Sequence, residues 1–144
     1  MAPLWKLCND GNLNEVRAEL AHGGDVNDKG YCGLHCGATA LMFAVLGRHN
    51  SIVKLLLEQP AVKTNEKNNY GYTALHWAAL DNNPEGARML LLHPGFNSAN
   101  STNNDGETGL MKAVRDQKKE VLLELVKHES VHLDLREGAF NGGR

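Results

Sequence analysis

Short blocks of nearly the same sequence recur along this chain, each with its apolar residues at helical spacing. The blocks lie at 37–44, 71–78 and 106–113, and their first glycines are 34 and 35 positions apart. At a matching distance each block is followed by an apolar run, at 52–57, 87–92 and 121–126. A fixed period of this length predicts a repeat architecture in which every unit is a helix, a turn, a second helix and a hairpin.

The polar residues between the apolar positions indicate where each helix begins. Thr39, Thr73 and Thr108 precede the first helix of their units, where a threonine oxygen can accept a free N–H group of the first turn. Asn83 followed by Pro84 is typical of a cap and a first-turn proline, and it predicts the start of a second helix. One such unit is too small to bury its apolar stripe, so neighbouring units must stack.

At 73–78 the chain reads Thr-Ala-Leu-His-Trp-Ala, which resembles the Thr-Pro-Leu-His-x-Ala signature of the ankyrin repeat family. A fainter copy opens the chain, since Ala-Pro-Leu at 2–4 aligns with Thr-Ala-Leu at 39–41. The resemblance implies four repeats followed by a tail, at about 1–36, 37–70, 71–105 and 106–136, with the tail at 137–144. We therefore expect a single ankyrin repeat domain over 1–144, an all-α solenoid with short β-hairpin loops.

Composition and charge narrow the class of protein further. The chain has 144 residues, of which 42% are hydrophobic, and this is enough for one continuous core. A formal net charge of −2 argues against a general nucleic-acid binder, which usually carries a basic face. The first residues lack the charged-then-apolar pattern of a signal sequence, so we expect none, and no apolar stretch approaches the roughly 18 residues of a membrane span. Three cysteines, an odd number, fit a reducing compartment. We expect a cytoplasmic protein, with the nucleus as the alternative, that binds neither nucleic acid nor membrane.

The last repeat leaves two readings of the assembly open. The second helix of the fourth repeat carries more charge than its counterparts, which suits a carboxy-terminal cap. Residues 138–144 nevertheless resemble the approach to a fifth repeat. The protein is therefore either a small adaptor or a fragment of a longer array. We expect a monomer, with self-association if the array is truncated.

The resemblance also implies a function, because arrays of this family usually bind other proteins. The binding surface is the concave side, formed by the hairpin tips and the exposed positions of the first helices. The positions that map onto this predicted concave face are His35, Cys36, Ala38, Phe43 and Leu46, then Asn69, Tyr70, Tyr72, Trp77, Leu80 and Asp81, and finally Asn104, Asp105, Glu107, Lys112, Arg115 and Asp116. We expect the face to bind another protein or a peptide.

Three aromatic residues stand out within this face. Aromatic residues are only 6% of the chain, yet Tyr70, Tyr72 and Trp77 fall around one hairpin and its following helix. Tyrosine and tryptophan often anchor interfaces, and we expect both tyrosines to be exposed. Trp77 either anchors a partner or packs against Phe43 as a filler between repeats. If this face binds a partner, Tyr70→Ala and Trp77→Ala should weaken partner capture and leave stability mostly intact. For His76, the resemblance implies a structural bridge between its helix start and a neighbouring hairpin.

The first hairpin departs from the period, because the first two repeats are 37 positions apart and the additional residues fall within 28–37. This segment holds Cys32, His35 and Cys36, and thiolate with imidazole is a ligand set that suits zinc. A tetrahedral site needs a fourth donor, however, and the spacing matches no pair of distant ligand couples. A zinc-binding or redox-responsive module is therefore the alternative function. The other reading is a longer loop that is available to a partner.

Two last points concern chemistry. The resemblance implies that Asn27, in the hairpin sequence Asp-Val-Asn, can be a substrate of an asparaginyl hydroxylase. The alternative is that Asn27 simply makes turn hydrogen bonds. The sequence contains no glycine-rich phosphate loop, nucleophile elbow or helix-borne pair of metal histidines. We therefore expect no catalysis and no cofactor.

Overall fold

The computed structural model describes residues 2–31 and 35–132. In this part of the chain, eight α-helices lie in four consecutive pairs: α1 Leu4–Asp10, α2 Leu13–Ala21, α3 Ala40–Leu46, α4 Asn50–Leu57, α5 Ala74–Leu80, α6 Pro84–Leu92, α7 Gly109–Arg115 and α8 Lys119–Lys127. Two short antiparallel strands, β1 Lys29–Gly30 and β2 Ala38–Thr39, form the first hairpin, with Lys29 opposite Thr39 and Gly30 opposite Ala38. The expected all-α fold with short β-hairpin loops is confirmed.

The helices form two stacked rows. The first helices of the pairs, α1, α3, α5 and α7, pack on one another in chain order, and the second helices, α2, α4, α6 and α8, do the same. Each helix also packs on the partner of its own pair. Buried apolar side chains run as one core from Leu4 to Val131. Because each pair completes the core of its neighbours, the fold is the stacked solenoid that the period predicts.

The residues at the helix starts make the predicted caps. The side chains of Thr39, Thr73 and Thr108 each accept a hydrogen bond from the backbone N–H three residues on, at 3.3, 3.4 and 3.1 Å. Asn83 accepts in the same way at 3.0 Å, and Pro84 is the first residue of α6. These side chains satisfy N–H groups that have no partner within the helix, which fixes where α3, α5, α6 and α7 begin.

The glycines that mark the period occupy a backbone conformation that other residues rarely adopt. Gly37, Gly71 and Gly106 have φ angles of 78°, 80° and 77°. At Gly71 an added Cβ would lie 2.6 Å from the side-chain oxygen of Asn104 in the next hairpin. A side chain at Gly71 would therefore be both strained and obstructed, and glycine allows successive hairpins to approach closely.

Three asparagines tie each unit to the next. Each uses both ends of its amide, because Nδ2 donates to a backbone carbonyl of the following unit and Oδ1 accepts from a backbone N–H two residues further on. The links join Asn27 to Ala61 and Lys63, Asn65 to Gly95 and Asn97, and Asn100 to Ser130 and His132, at distances from 2.7 to 2.9 Å. The three asparagines lie after the second helices of their units, and their bonds fix the spacing between successive units there.

Candidate protein-binding groove

A groove of about 360 Å³ crosses the middle of the solenoid on the side of the hairpins. Eight residues line it, and all eight belong to the predicted concave face: His35, Leu46, Tyr70, Tyr72, Trp77, Leu80, Asn104 and Asp105. They come from three successive units, so the stacking of the repeats is what brings them together. We call this feature the groove.

The residues that line the groove lie on two helices and in the hairpins of three successive units. His35 lies between β1 and β2, and Leu46 is the last residue of α3. Trp77 and Leu80 lie three residues apart on α5, so they share one face of that helix. The two tyrosines flank Gly71 in the hairpin before α5, and the remaining two residues lie in the hairpin before α7.

Aromatic rings form the floor of the groove and continue towards α1. Trp77 packs on Tyr72 with ring centroids 4.9 Å apart and on His35 at 5.2 Å. His35 in turn contacts Phe43 at 5.7 Å, and Phe43 contacts Trp5 at 5.0 Å. The expected pairing of Trp77 with Phe43 is thus bridged by His35, which reaches both rings from the inserted hairpin. Trp5 was not among the predicted site residues, although it is an aromatic residue on the same row of helices.

Asparagine side chains hold the two hairpin tips that frame the groove. Oδ1 of Asn68 accepts from the backbone N–H groups of Tyr70 and Tyr72, both at 2.9 Å. Oδ1 of Asn103 accepts from the N–H of Asp105 at 2.9 Å in the same arrangement one unit later. The second tip is tied to the first, since the N–H of Asn104 donates to the carbonyl of Tyr70 at 3.0 Å. The rim is therefore set by local turn chemistry before any partner binds.

The exposure of the predicted residues divides them into two groups. Tyr70 is 46% exposed and Tyr72 is half-buried, so the expected exposure of both tyrosines is right in full only for Tyr70. Ala38 and Phe43 are each 1% exposed and offer no accessible surface. Both are buried because β2 and α3 bring them against the core, where Phe43 packs on neighbouring rings.

Trp77 is 5% exposed, so its ring forms the bottom of the groove rather than a projecting anchor. Its Nε1 is also buried and has no hydrogen-bond partner among the described residues. The expectation that Trp77→Ala leaves stability mostly intact is wrong, because removing a buried tryptophan costs about 3–5 kcal/mol of unfolding free energy. A test of binding needs a more exposed residue.

The charged residues of the fourth repeat satisfy one another beside the groove. Lys112 is 6% exposed, and its Nζ lies 4.0 Å from carboxylate oxygens of both Glu107 and Asp116. Arg115 pairs with Glu107 and, at 3.5 Å, with Asp116. Glu107 is 8% exposed, so burial removes it and Lys112 from the accessible face. The Lys112 Nζ also lies over the ring of Tyr72, 5.8 Å from its centroid, which is within the range of a cation–π contact.

The other predicted residues are engaged at the edges. Asp81 follows α5, and its carboxylate pairs with Arg48 at 3.1 Å. Asn69 is exposed, and its backbone N–H donates to the carbonyl of half-buried Cys36 at 2.9 Å. The bond from Asn69 to Cys36 links the second hairpin to the first. Of the predicted residues, Asp81, Asn69 and Cys36 do not line the groove itself.

His76 lies beneath the groove and bridges two units, which is the position the structural interpretation requires. It is 1% exposed; its Nδ1 accepts from the N–H of Thr73 at 3.1 Å and its Nε2 donates to the carbonyl of Glu107 at 2.7 Å. Burial is the main reason that the pKa of His76 lies below its usual range, although the bond to Glu107 opposes the shift. A neutral ring with its proton on Nε2 satisfies both contacts.

The zinc alternative depends on Cys32, which lies outside the described residues. Within residues 2–31 and 35–132, no group of three or more histidine, cysteine, aspartate or glutamate residues is placed to hold a metal ion. Cys8 is fully buried, and burial raises the pKa of its thiol to about 12. Zinc binding by the first hairpin therefore stays a prediction.

Asn27 is half-buried, and both ends of its amide are bonded to the following unit. The interpretation that Asn27 makes structural hydrogen bonds fits these contacts. Its hydroxylation stays a prediction.

None of the helices in the two described segments is both long and apolar enough to cross a lipid bilayer. The expected location in the cytoplasm, with the nucleus as the alternative, stays a prediction.

Comparison with known proteins identifies the repeats. A family model described as ankyrin repeats, in three copies, matches residues 4–100. A probable E3 ubiquitin-protein ligase of Oryza sativa subsp. japonica is 36% identical over 111 residues, which cover 74% of this chain and 21% of that protein. An E3 ubiquitin-protein ligase of Arabidopsis thaliana is 31% identical over 125 residues, covering 87% of this chain and 23% of that protein.

A putative ankyrin repeat protein of Fowlpox virus (strain NVSL) is 36% identical over 102 residues, covering 71% of this chain and 29% of the viral protein. The chain thus spans less than a third of the length of each of these relatives. Since the family match extends over more than half of the 144 residues, and the helix pairs, caps and hairpins have the predicted arrangement, the chain belongs to the ankyrin repeat family.

Proposed function

We propose that this chain binds a partner protein or peptide in the groove, without catalysis and without a cofactor. Ankyrin repeats generally mediate protein–protein interaction, and the groove brings together side chains that a partner could contact. The observation that carries the proposal is the convergence of eight lining residues from three units around an aromatic floor. Concave, mostly apolar sites with a few polar groups at the rim are the usual form of binding sites.

We also propose that residues 1–144 act as one domain in this binding. The support is the single buried core that continues from α1 to the residues after α8. A groove built from three units keeps its shape only if those units move together, so separate units would not form it.

The ligase activity named for the two plant relatives belongs to those proteins. The matches with this chain take up 21% and 23% of their lengths. We infer that a repeat surface for protein binding, and not ligase chemistry, is what this chain has in common with them. An adaptor role follows from that reading.

The proposal is tested by comparing two tyrosines. Tyr70 is 46% exposed at the groove, whereas Tyr31 is 71% exposed and lies outside the groove lining. Wild-type chain, Tyr70→Ala and Tyr31→Ala are immobilised, and proteins captured from lysate are quantified by mass spectrometry. A candidate partner is then purified and titrated against all three by isothermal titration calorimetry.

We expect a partner that binds the wild-type chain and Tyr31→Ala alike and binds Tyr70→Ala about 5–30-fold more weakly, a loss of about 1–2 kcal/mol that marks a contributing interface residue. Circular dichroism checks that both variants are folded. If every purified partner binds Tyr70→Ala with wild-type affinity, the groove is not the binding site. If Tyr31→Ala alone weakens binding, the inserted first hairpin is the site instead.

A further inference from the structure

We infer that the groove takes an extended peptide segment in which one bulky apolar side chain stands close to a lysine or arginine. The apolar side chain occupies the floor, and the cation lies at the rim between Asp105 and Tyr70. This inference rests on the proposed function and names the chemistry of the partner.

The size and lining of the groove favour a side chain as the occupant of the floor. Its volume of about 360 Å³ is at the lower end of the roughly 300–1,000 Å³ of ligand pockets. Leu46 and Leu80 form its walls, and both are half-buried, so apolar surface remains available there. The rings of Trp77, Tyr72 and His35 close the bottom. An apolar or aromatic side chain removes this surface from water, whereas a charged one would lose its hydration with no partner at the bottom.

The rim supplies a negative charge that has no partner among the residues that the structure describes. Asp105 is exposed, and among the described residues that line the groove it is the only acidic one; that lining contains no lysine or arginine. No ion pair to its carboxylate occurs within residues 2–31 and 35–132. Its backbone N–H is held by Asn103 at 2.9 Å, so the hairpin presents the carboxylate from a defined position. A cation on the partner would complete the pair.

The neighbouring acidic residues already have partners, which singles out Asp105. Asp116 is paired with Lys112 and Arg115, and Asp81 is paired with Arg48. Lys112 is a buried cation that lies beside Tyr72, but two carboxylates at 4.0 Å compensate its charge, so it does not repel a basic partner.

Tyr70 provides a second reason to expect a cation at the rim. Its ring is 46% exposed beside the groove, and an aromatic face attracts ammonium and guanidinium groups. Arginine and lysine can also cover a ring with their apolar stems while their charged ends stay in water. The overall charge of −2 slightly favours the approach of a basic partner.

A displayed library of random 12-residue peptides is selected on the immobilised intact chain. We expect the recovered peptides to share a bulky apolar residue with a lysine or arginine within about three positions. One recovered peptide is then synthesised in two forms, one of them with its basic residue replaced by glutamine. Both are titrated against wild-type chain, Asp105→Asn, Tyr70→Ala and Tyr31→Ala.

Asp105→Asn keeps the size and polarity of the side chain and removes only its charge. We expect it to weaken the basic peptide about 2–10-fold and to leave the glutamine peptide unchanged, since exposed ion pairs and cation–π contacts are modest. Raising the salt concentration should reduce the difference between the two peptides on the wild-type chain, because salt screens the exposed ion pair. Tyr31→Ala should behave as wild type.

Three results would overturn the inference. Apolar peptides without a basic preference that lose affinity for Tyr70→Ala would leave the groove as the site and refute the cation. Peptides that bind Tyr70→Ala and Asp105→Asn as tightly as wild type would refute the groove itself, and with it the proposed function. If no peptide is recovered while a purified folded protein still depends on Tyr70, the partner is not an extended peptide.

Discussion

Asn83 is the side chain whose loss should most clearly uncouple two neighbouring units. It is 2% exposed, and it caps α6 by accepting from the N–H of Gly86 at 3.0 Å. Its Nδ2 donates to the buried carbonyl of Val45 at 3.1 Å and to Oδ1 of Asn50 at 2.9 Å. Asn50 donates back to it at 3.2 Å. One amide therefore starts a helix and binds the preceding unit.

Asn83→Ala removes both contributions, and each has a known size. Loss of an N-cap costs about 1 kcal/mol of unfolding free energy. A buried carbonyl left without its donor, here that of Val45, costs roughly 1–3 kcal/mol more. The sum is about 2–4 kcal/mol, which is a large fraction of the roughly 5–15 kcal/mol that stabilises a typical domain. For a chain of this length, it corresponds to a fall in Tm of roughly 6–12 °C.

Urea unfolding followed by circular dichroism at 222 nm measures the change. Asn83→Ser is the informative companion, because serine keeps the cap and cannot reach as amide Nδ2 does; it should recover about 1 kcal/mol relative to alanine. Asn14→Ala is the matched control, since Asn14 is exposed on α2 and alanine favours a helix. If Asn83→Ala stays within about 0.5 kcal/mol of wild type, the bridging role assigned to Asn83 is refuted.

Three other properties of the protein can be checked independently. Because burial lowers the pKa of His76, the unfolded chain takes up a proton on this residue before the folded chain does. The free energy of unfolding should therefore fall by up to about 1.4 kcal/mol per pH unit as the pH drops below about 6.5. His76→Gln should remove this part of the pH dependence in urea titrations. Gly30→Ala should lower Tm measurably in thermal unfolding, because its Cβ would lie 2.6–2.8 Å from ring atoms of two aromatic neighbours. With Cys32 and Cys36 both changed to serine, the buried thiol of Cys8 should react with a thiol reagent only when the chain unfolds, and rapid labelling of the folded chain would contradict its burial.

The periodic features of the fold could be predicted from the sequence because each of them is local. A threonine before an apolar helix and an Asn-Pro pair report caps that depend on a few consecutive residues, and all were found where expected. The register of the repeat also predicts which residues come together in the groove. His35, Tyr70 and Asp105 are far apart in the chain, and the stacking of equal units makes them neighbours.

The features that were not predicted depend on contacts between units. Asn65 and Asn100 make the same bridge as Asn27. The inserted hairpin places Asn27 and Asn65 38 positions apart, so a search at period 34 or 35 does not find the series. The burial of Lys112 and Glu107 was missed for a related reason. Lys112 and Glu107 can be buried because they pair with each other and with nearby charged residues. The pattern of residues along one segment does not predict such a pair.

The position of the groove follows from how equivalent residues differ between units. The position of Trp77 on α5 is occupied by Phe43 in the unit before and by Lys112 in the unit after, and that of Leu80 by Leu46 and Arg115. The apolar surface therefore spans α3 and α5 and stops at α7, where the charges are paired. Since the backbone of each unit repeats, the selectivity of the face must come from this change of side chains. A partner that is apolar along its whole length would fit the first part of the face and meet charged groups beyond it.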